Sequence, residues 1–184
     1  MQSVVDACQN GVLAANPAVL ISNNRQAEVV SRSERQGIPA SVLNAKTHPD
    51  ADELDQAMLE ALQAHACDVI VLAGFMKKIG PRVLEAFAGR IINIHPSLLP
   101  KYGGQGMYGR RVHEAVLAAG DDVTGISIHL VNGEYDEGRV LSQSEVPVLA
   151  NDTVESLAAR VLEREHSFLV ETLREIVSGR IGLK

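Results

Sequence analysis

The chain of 184 residues carries 17 basic and 23 acidic side chains, and the net charge of −6 argues against a broad, non-specific nucleic-acid binder. Its length fits one domain, and because aromatic residues make up only 3%, the core must be aliphatic. Two cysteines cannot form a disulfide framework and no apolar run approaches the ~20 residues of a membrane span, so we expect a cytoplasmic domain without membrane contact.

The first half of the chain alternates predicted helices with short apolar runs. Helical spacing or polar helical composition predicts helices over residues 2–15, 25–36, 50–66 and 81–87. Strands are predicted over residues 18–22, 38–43, 68–72 and 90–94. The continuous apolar run of the first should be buried on both faces, and the third is the clearest buried strand. The third helix has the clearest start, because Asp50 can cap it and Glu53 follows three residues later.

The second half of the chain has a different pattern. Periodicity predicts helices over residues 110–119 and from Asp152 or Thr153 to about residue 178. Alternating apolar and polar residues predict two strands, 125–131 and 140–148, joined around residues 132–138. The alternation of strands and helices predicts an α/β fold with a mainly parallel, doubly wound, Rossmann-like sheet. Ligand sites in such sheets lie beyond the carboxyl ends of the strands.

The fourth predicted strand delivers two side chains suited to acyl chemistry. Alternation places Asn93 and His95 on the same side of the strand end. An amide can donate to a developing oxyanion, and an imidazole can donate a hydrogen bond and then a proton. Pro96 and Pro100 stiffen the loop that follows. A histidine can equally be a structural residue, and both interpretations stay open on the residues alone.

Other candidates lie in the loops. Asp136, in the 132–138 turn, could pair with His95 and raise its pKa, or it could be a solvated turn carboxylate. Gly74 allows close backbone approach to a ligand, while Lys77 and Lys78 are either rim cations or solvated lysines. Residues 103–109 are expected to form a flexible flap. The spacing of histidines and cysteines predicts no metal site.

Together these segments resemble a known family. The string Asn93-Ile94-His95-Pro96-Ser97-Leu98-Leu99-Pro100-Lys101-Tyr102, preceded by Leu72-Ala73-Gly74-Phe75-Met76 and followed by Tyr135-Asp136-Glu137-Gly138, is similar to the phosphoribosylglycinamide formyltransferases, folate-dependent enzymes of purine synthesis. The resemblance runs from about residue 2 to about residue 178. It implies transfer of a formyl group from 10-formyltetrahydrofolate to the amine of glycinamide ribonucleotide, without a metal.

The resemblance also implies roles for individual residues. Asn93 and protonated His95 would stabilise the oxyanion, and Asp136 would raise the pKa of His95. The implied folate-binding residues are Asn93, Met76, Lys77, Lys78, Ile79, Val131, Asn132, Gly133, Glu134 and Tyr135. The implied nucleotide-binding residues are Gly74, Pro96 and Glu165.

Three features depart from the family pattern. Lys77 stands where the family often has arginine, which weakens a bidentate hold on a carboxylate. Ala51 stands where the family can supply an arginine to the folate. The family begins with an apolar strand and a glycine-containing loop that holds the substrate phosphate, whereas Met1 stands where the first helix begins. We therefore expect one formyltransferase domain over residues 1–184 that is short at its N-terminus.

Two alternatives to this enzyme remain. Another 10-formyltetrahydrofolate enzyme, a deformylase or a tRNA formyltransferase, is less favoured because those families carry an additional domain. The other alternative is a truncated, inactive chain that retains a folate pocket. The expected partners are the two small-molecule substrates, with no nucleic acid, in a monomer or homodimer.

Overall fold

A computed structural model describes residues 1–183 of the chain. The helices are α1 (Gln2–Gln9), α2 (Glu28–Arg35), α3 (Ala51–Ala64), α4 (Pro81–Ala86), α5 (Arg110–Ala119) and α6 (Val154–Val177). The strands are β1 (Leu20–Ser22), β2 (Ala40–Val42), β3 (Ile70–Leu72), β4 (Ile91–His95), β5 (Val123–Leu130) and β6 (Val140–Pro147). The predicted α/β class and the order of elements are confirmed. The first helix is shorter than predicted, and Gly11, two residues beyond it, adopts a left-handed φ of 70°.

The strands form two hydrogen-bonded sheets. Strands β1 and β2 pair in parallel, and a second sheet has the order β3-β4-β5-β6. Within it β3 and β4 are parallel, while β5 and β6 are antiparallel to their neighbours, as expected for two strands joined by a short connection. Within residues 1–183 no strand precedes α1. The parallel pairing of β3 with β4 brings the ends of both strands, Leu72 and Asn93, side by side.

The predictions that β1 is buried on both faces and that β3 is the clearest buried strand are wrong. In β3, Val71 is 37% exposed, and Ile70 and Leu72 are only partly buried. Strand β1 is also incompletely buried. Both are edge strands within the described residues, so their side chains lack a neighbouring strand on one flank.

The core is aliphatic, as the composition predicts. One cluster joins the inner faces of β4, β5 and α6, with Ile126, Ile128 and Leu157 at 0% exposure. A second cluster packs α3 and α4 against β3 and the start of β4, around Val83 and Ile91. None of the helices in residues 1–183 has the length and apolar character needed to cross a bilayer.

Local capping sets where several helices begin. Asp50 accepts hydrogen bonds from the amides of Asp52 and Glu53, as predicted for the start of α3. Thr153 and Ser156 form a capping box at the start of α6. Helix α4 is capped from outside its own sequence, because Asp55 of α3 accepts from the backbone amide of Arg82 at 2.7 Å. This contact fixes the end of the segment between β3 and α4, which contains four of the predicted folate-binding residues, Met76 to Ile79.

Candidate active site

The structure brings the three predicted catalytic residues to one place. Asn93 and His95 lie at the end of β4, and Asp136 lies in the turn between β5 and β6. The Nδ1 atom of His95 is 3.6 Å from Oδ2 of Asp136. The two side chains are 5% and 12% exposed, so their interaction is little screened by water.

The second nitrogen of His95 has a fixed partner. Its Nε2 lies 2.8 Å from the backbone carbonyl oxygen of Tyr102, which can only accept a hydrogen bond. Neutral His95 therefore carries its hydrogen on Nε2 and exposes the lone pair of Nδ1 towards Asp136. Nδ1 is thus the atom that gains and loses the proton.

The pKa of His95 is shifted downward, although Asp136 was expected from the sequence to raise it. Burial lowers the pKa of His95 below its usual value, and this effect outweighs the upward influences of Asp136 and of the Tyr102 carbonyl. Asp136 thus acts in the expected direction, but burial of the ring, which is only 4% exposed, disfavours the protonated imidazole that the resemblance implies.

Asp136 is held by the neighbouring loop as well as by His95. The turn requires it to adopt a positive φ of 58°, and the amide of Gly104 donates to its Oδ2 at 2.9 Å. Burial alone would raise the pKa of Asp136, but its polar contacts with His129, His95 and the Gly104 amide together lower it. The carboxylate is therefore ionised at neutral pH, beside the proton-accepting atom of His95.

Sequence reasoning missed one member of the cluster, His129 of β5. The register of β4 and β5 pairs it with Asn93, and its Nε2 lies 3.1 Å from Nδ2 of Asn93 and 3.5 Å from Oδ1 of Asp136. Its Nδ1 donates to the carbonyl of Leu130 at 2.8 Å, which leaves Nε2 to accept from the Asn93 amide. Its position near the end of an alternating strand, just before the 132–138 turn, was the available signal.

A buried serine of β5 holds the backbone of the loop that follows His95. Ser127, at 0% exposure, accepts from the amide of Leu99 at 2.9 Å and donates to the carbonyl of Ser97 at 2.7 Å. Ser97 in turn donates to the carbonyl of Lys101 at 2.6 Å, so its hydroxyl also holds the loop.

The two predicted folate-binding segments meet at the surface. Lys78 lies 3.3 Å from Oε2 of Glu134, and its ammonium is 5.2 Å from the centre of the Tyr135 ring. Ile79 points into the core at 7% exposure, whereas Met76 is 59% exposed. The segments that contain these residues therefore form adjacent walls near the ends of β3 and β5.

The remaining predicted residues are more scattered. Gly74 has a φ of 70°, and no other atom lies within 4 Å of the place a Cβ would take, so open space adjoins its backbone. Pro96 follows His95 directly and is half-buried. Glu165 lies on α6, where burial raises the pKa of its carboxyl to about 7. Among residues 1–183 no cluster of three or more histidine, cysteine, aspartate or glutamate side chains is placed to hold a metal ion.

A family model and two similar proteins point to the same family. A family model described as formyl transferase matches residues 1–173. A protein of Arabidopsis thaliana named phosphoribosylglycinamide formyltransferase, chloroplastic, is 40% identical over 181 residues, which cover 98% of this chain and 62% of that protein. The phosphoribosylglycinamide formyltransferase of Haemophilus influenzae is 39% identical over 184 residues, covering 100% of this chain and 84% of that protein.

The fold is similar to a solved structure over the same range. The crystal structure of glycinamide ribonucleotide transformylase 1 from Symbiobacterium toebii matches with a TM-score of 0.91 and 36% identity. The match covers 100% of this chain and 84% of the other. The similar range includes β4, β5 and the turn that carries Asp136.

Proposed function

This chain belongs to the formyl transferase family, and we propose that it transfers a formyl group from 10-formyltetrahydrofolate to the amine of glycinamide ribonucleotide. The observation that carries the proposal is the cluster of Asn93, His95, His129 and Asp136 at the ends of β4 and β5. It combines an amide donor, a neutral imidazole and a buried carboxylate, the groups that acyl transfer to an amine requires.

The folate co-substrate supplies the formyl group, and the structure offers residues that fit its binding. The segment Met76–Ile79 and the turn Val131–Tyr135 form two adjacent walls, joined by the contacts of Lys78. Both are loop segments outside helices and strands, so their backbone groups can hydrogen bond a heterocycle. Lys77 is exposed and provides a point charge for a carboxylate of the glutamate tail.

In this proposal Asn93 stabilises negative charge on the formyl oxygen. One hydrogen of its Nδ2 is directed to Nε2 of His129, and the second is available to the oxygen on which charge develops. The contact with His129 holds the amide in place before reaction. Donors held in place in this way stabilise the transition state without reorganisation.

His95 moves the proton between the two nitrogen atoms of the reaction. When the amine attacks the formyl carbon, neutral His95 accepts the proton that the amine loses, at Nδ1. Asp136 stabilises the resulting imidazolium, and His95 then donates the same proton to the leaving nitrogen as the old carbon–nitrogen bond breaks. The Tyr102 carbonyl keeps Nε2 occupied throughout, so the transfer uses Nδ1 only.

Three residues are proposed to bind the nucleotide substrate. Gly74 offers open space beside its backbone, and Pro96 borders His95. The Glu165 carboxyl, whose pKa is raised to about 7 by burial, could bond a ribose hydroxyl in either protonation state.

A direct assay tests this function. The purified chain is incubated with 10-formyltetrahydrofolate and glycinamide ribonucleotide, and the formylated nucleotide is measured by mass spectrometry. We expect product that depends on both substrates and that falls at least a hundredfold in the Asn93→Ala chain. Formate release that is independent of the nucleotide, or absence of product with well-folded protein, would contradict the proposal.

A further inference from the structure

The carbonyl that holds His95 belongs to a residue in an unusual backbone conformation. Tyr102 has a φ of 56°, in the left-handed region that residues other than glycine seldom adopt. Such a conformation persists only where the surrounding structure enforces it. The contacts of Tyr102 therefore decide where its carbonyl oxygen lies relative to His95.

The contact that holds the side chain of Tyr102 comes from outside the catalytic loop. Its hydroxyl donates to Oδ2 of Asp121 at 2.7 Å, and the neighbouring Lys101 ammonium lies 2.6 Å from both oxygens of the same carboxylate. Asp121 follows the C-terminal end of α5 and precedes β5, and its amide is bonded to the carbonyl of Val116. A carboxylate fixed between two regular elements thus holds two consecutive residues of the loop.

The charge of Asp121 suits this role. Its hydrogen bonds with Lys101 and Tyr102 lower the pKa of its carboxyl, so it is ionised at neutral pH. The Asp121 side chain is 19% exposed and the Lys101 side chain 59%. An ion pair with an exposed lysine contributes little by itself. The bond to the tyrosine hydroxyl is therefore the contact that ties the loop to α5.

We propose that Asp121 is a positioning residue that acts on His95 through Tyr102. It holds Tyr102 in its left-handed conformation, and the Tyr102 carbonyl then keeps the hydrogen of neutral His95 on Nε2. The effect of this positioning on formyl transfer depends on the proposed function, whereas the effect on the His95 ring does not.

Loss of the link between Asp121 and Tyr102 should change the state of the His95 ring. Without the Asp121 contact, Tyr102 relaxes and its carbonyl moves away from Nε2, so neutral His95 becomes a mixture of both tautomers. The pKa of His95 also falls, because the Tyr102 carbonyl bond contributes upward. The other ionisable groups that influence or face this ring, Asp136, His129 and His113, are unchanged by the substitutions.

The test uses the full chain and two substitutions, Tyr102→Phe and Asp121→Ala. Tyr102→Phe keeps the ring and removes only the hydroxyl that reaches Asp121. Nitrogen-15 NMR of the imidazole reports the tautomer ratio and pKa of His95, and steady-state kinetics report kcat and KM. The matched control is Glu175→Gln, which removes a carboxylate paired with Arg180 beyond α6 and far along the chain from the site.

We expect both substitutions to give a mixture of His95 tautomers, a lower His95 pKa and a kcat reduced about tenfold with KM nearly unchanged. Glu175→Gln should leave all four quantities unchanged. An unaltered tautomer ratio and titration curve in folded Tyr102→Phe protein would overturn the proposal, even if Asp121→Ala fails to fold. The NMR result decides the positioning role without any transfer activity, so a failure of the proposed function is recognised separately.

Discussion

Asn93 of β4 and His129 of β5 face each other across an antiparallel pair, with 3.1 Å between Nδ2 of the amide and Nε2 of the ring. The contact joins the proposed oxyanion donor to a residue that no motif indicated. His129 also lies 3.5 Å from Asp136, so it borders both the proposed oxyanion donor and the catalytic carboxylate.

Replacing this histidine tests its orienting role. His129→Phe keeps a ring of similar size but removes the contacts with Asn93 and Asp136 and the bond to the Leu130 carbonyl, so we expect kcat to fall at least tenfold with folate affinity nearly unchanged. Steady-state kinetics and equilibrium folate binding measure the two effects. His65→Phe is the control, because His65 bonds only a carbonyl of α3. Equal kcat values for the two variants would contradict the role.

His95→Asn removes the group that accepts the proton. We expect formyl transfer to fall by about 10²–10⁴, while folate binding stays largely intact, because the proposed folate walls do not include His95. Product formation and folate titration by fluorescence measure these separately. His48→Asn, a half-buried histidine bonded to Thr47, should retain wild-type activity. Retained transfer in His95→Asn protein would remove His95 from the mechanism.

The pH dependence of the reaction follows from the neutral state of His95. Because burial lowers its pKa, the acid limb of kcat/KM should lie below pH 6.5 in the wild-type chain. Asp136→Asn removes the upward influence of the carboxylate, so the limb should move to lower pH while kcat also falls. His129 and His113 remain in place as the other ionisable groups near this ring. An acid limb that moves upward in Asp136→Asn would contradict this account.

Glu165 makes the stability of the fold depend on pH. Burial raises its pKa to about 7, so the folded chain binds a proton that the unfolded chain releases between the usual value of 4.5 and pH 7. The stability contributed by protonation is complete below pH 4.5 and is lost as the pH rises through 7. Glu165→Gln should therefore stabilise the fold at pH 8 by on the order of 2 kcal/mol and have little effect at pH 4.5.

Urea unfolding at the two pH values measures this difference. The exposed neighbour Glu163→Gln is the matched control and should change neither value by more than about 0.5 kcal/mol. A similar effect of Glu165→Gln at both pH values would indicate that burial does not govern its protonation.

Asp55 links two helices and fixes the end of a proposed folate wall. Asp55→Ala leaves the first amides of α4 without their acceptor and should cost about 1–3 kcal/mol in the free energy of unfolding. Gly80→Ala should also destabilise the fold, because a side chain there would overlap the Asp55 carboxylate. In the double variant the second penalty should be smaller, which a double-mutant cycle by urea unfolding measures. Strict additivity would contradict the predicted clash.

The sequence by itself determined the elements, their order and the family. Periodicity and capping are local properties, so they predicted the twelve elements and the cap at Asp50, with the largest error at the end of the first helix. Alternation along a single strand was enough to place Asn93 and His95 on one side of it. The sequence motif around these residues indicated the family and therefore the type of reaction.

Only the tertiary structure decided how the site is held. The contacts of His129 with Asn93 and of Asp55 with α4 join residues 36 and 27 positions apart, and they depend on strand register and helix packing. The same holds for the hydroxyl of Tyr102 on Asp121, and for the burial that keeps His95 neutral. No local pattern encodes these relationships, because each depends on how separate elements pack together.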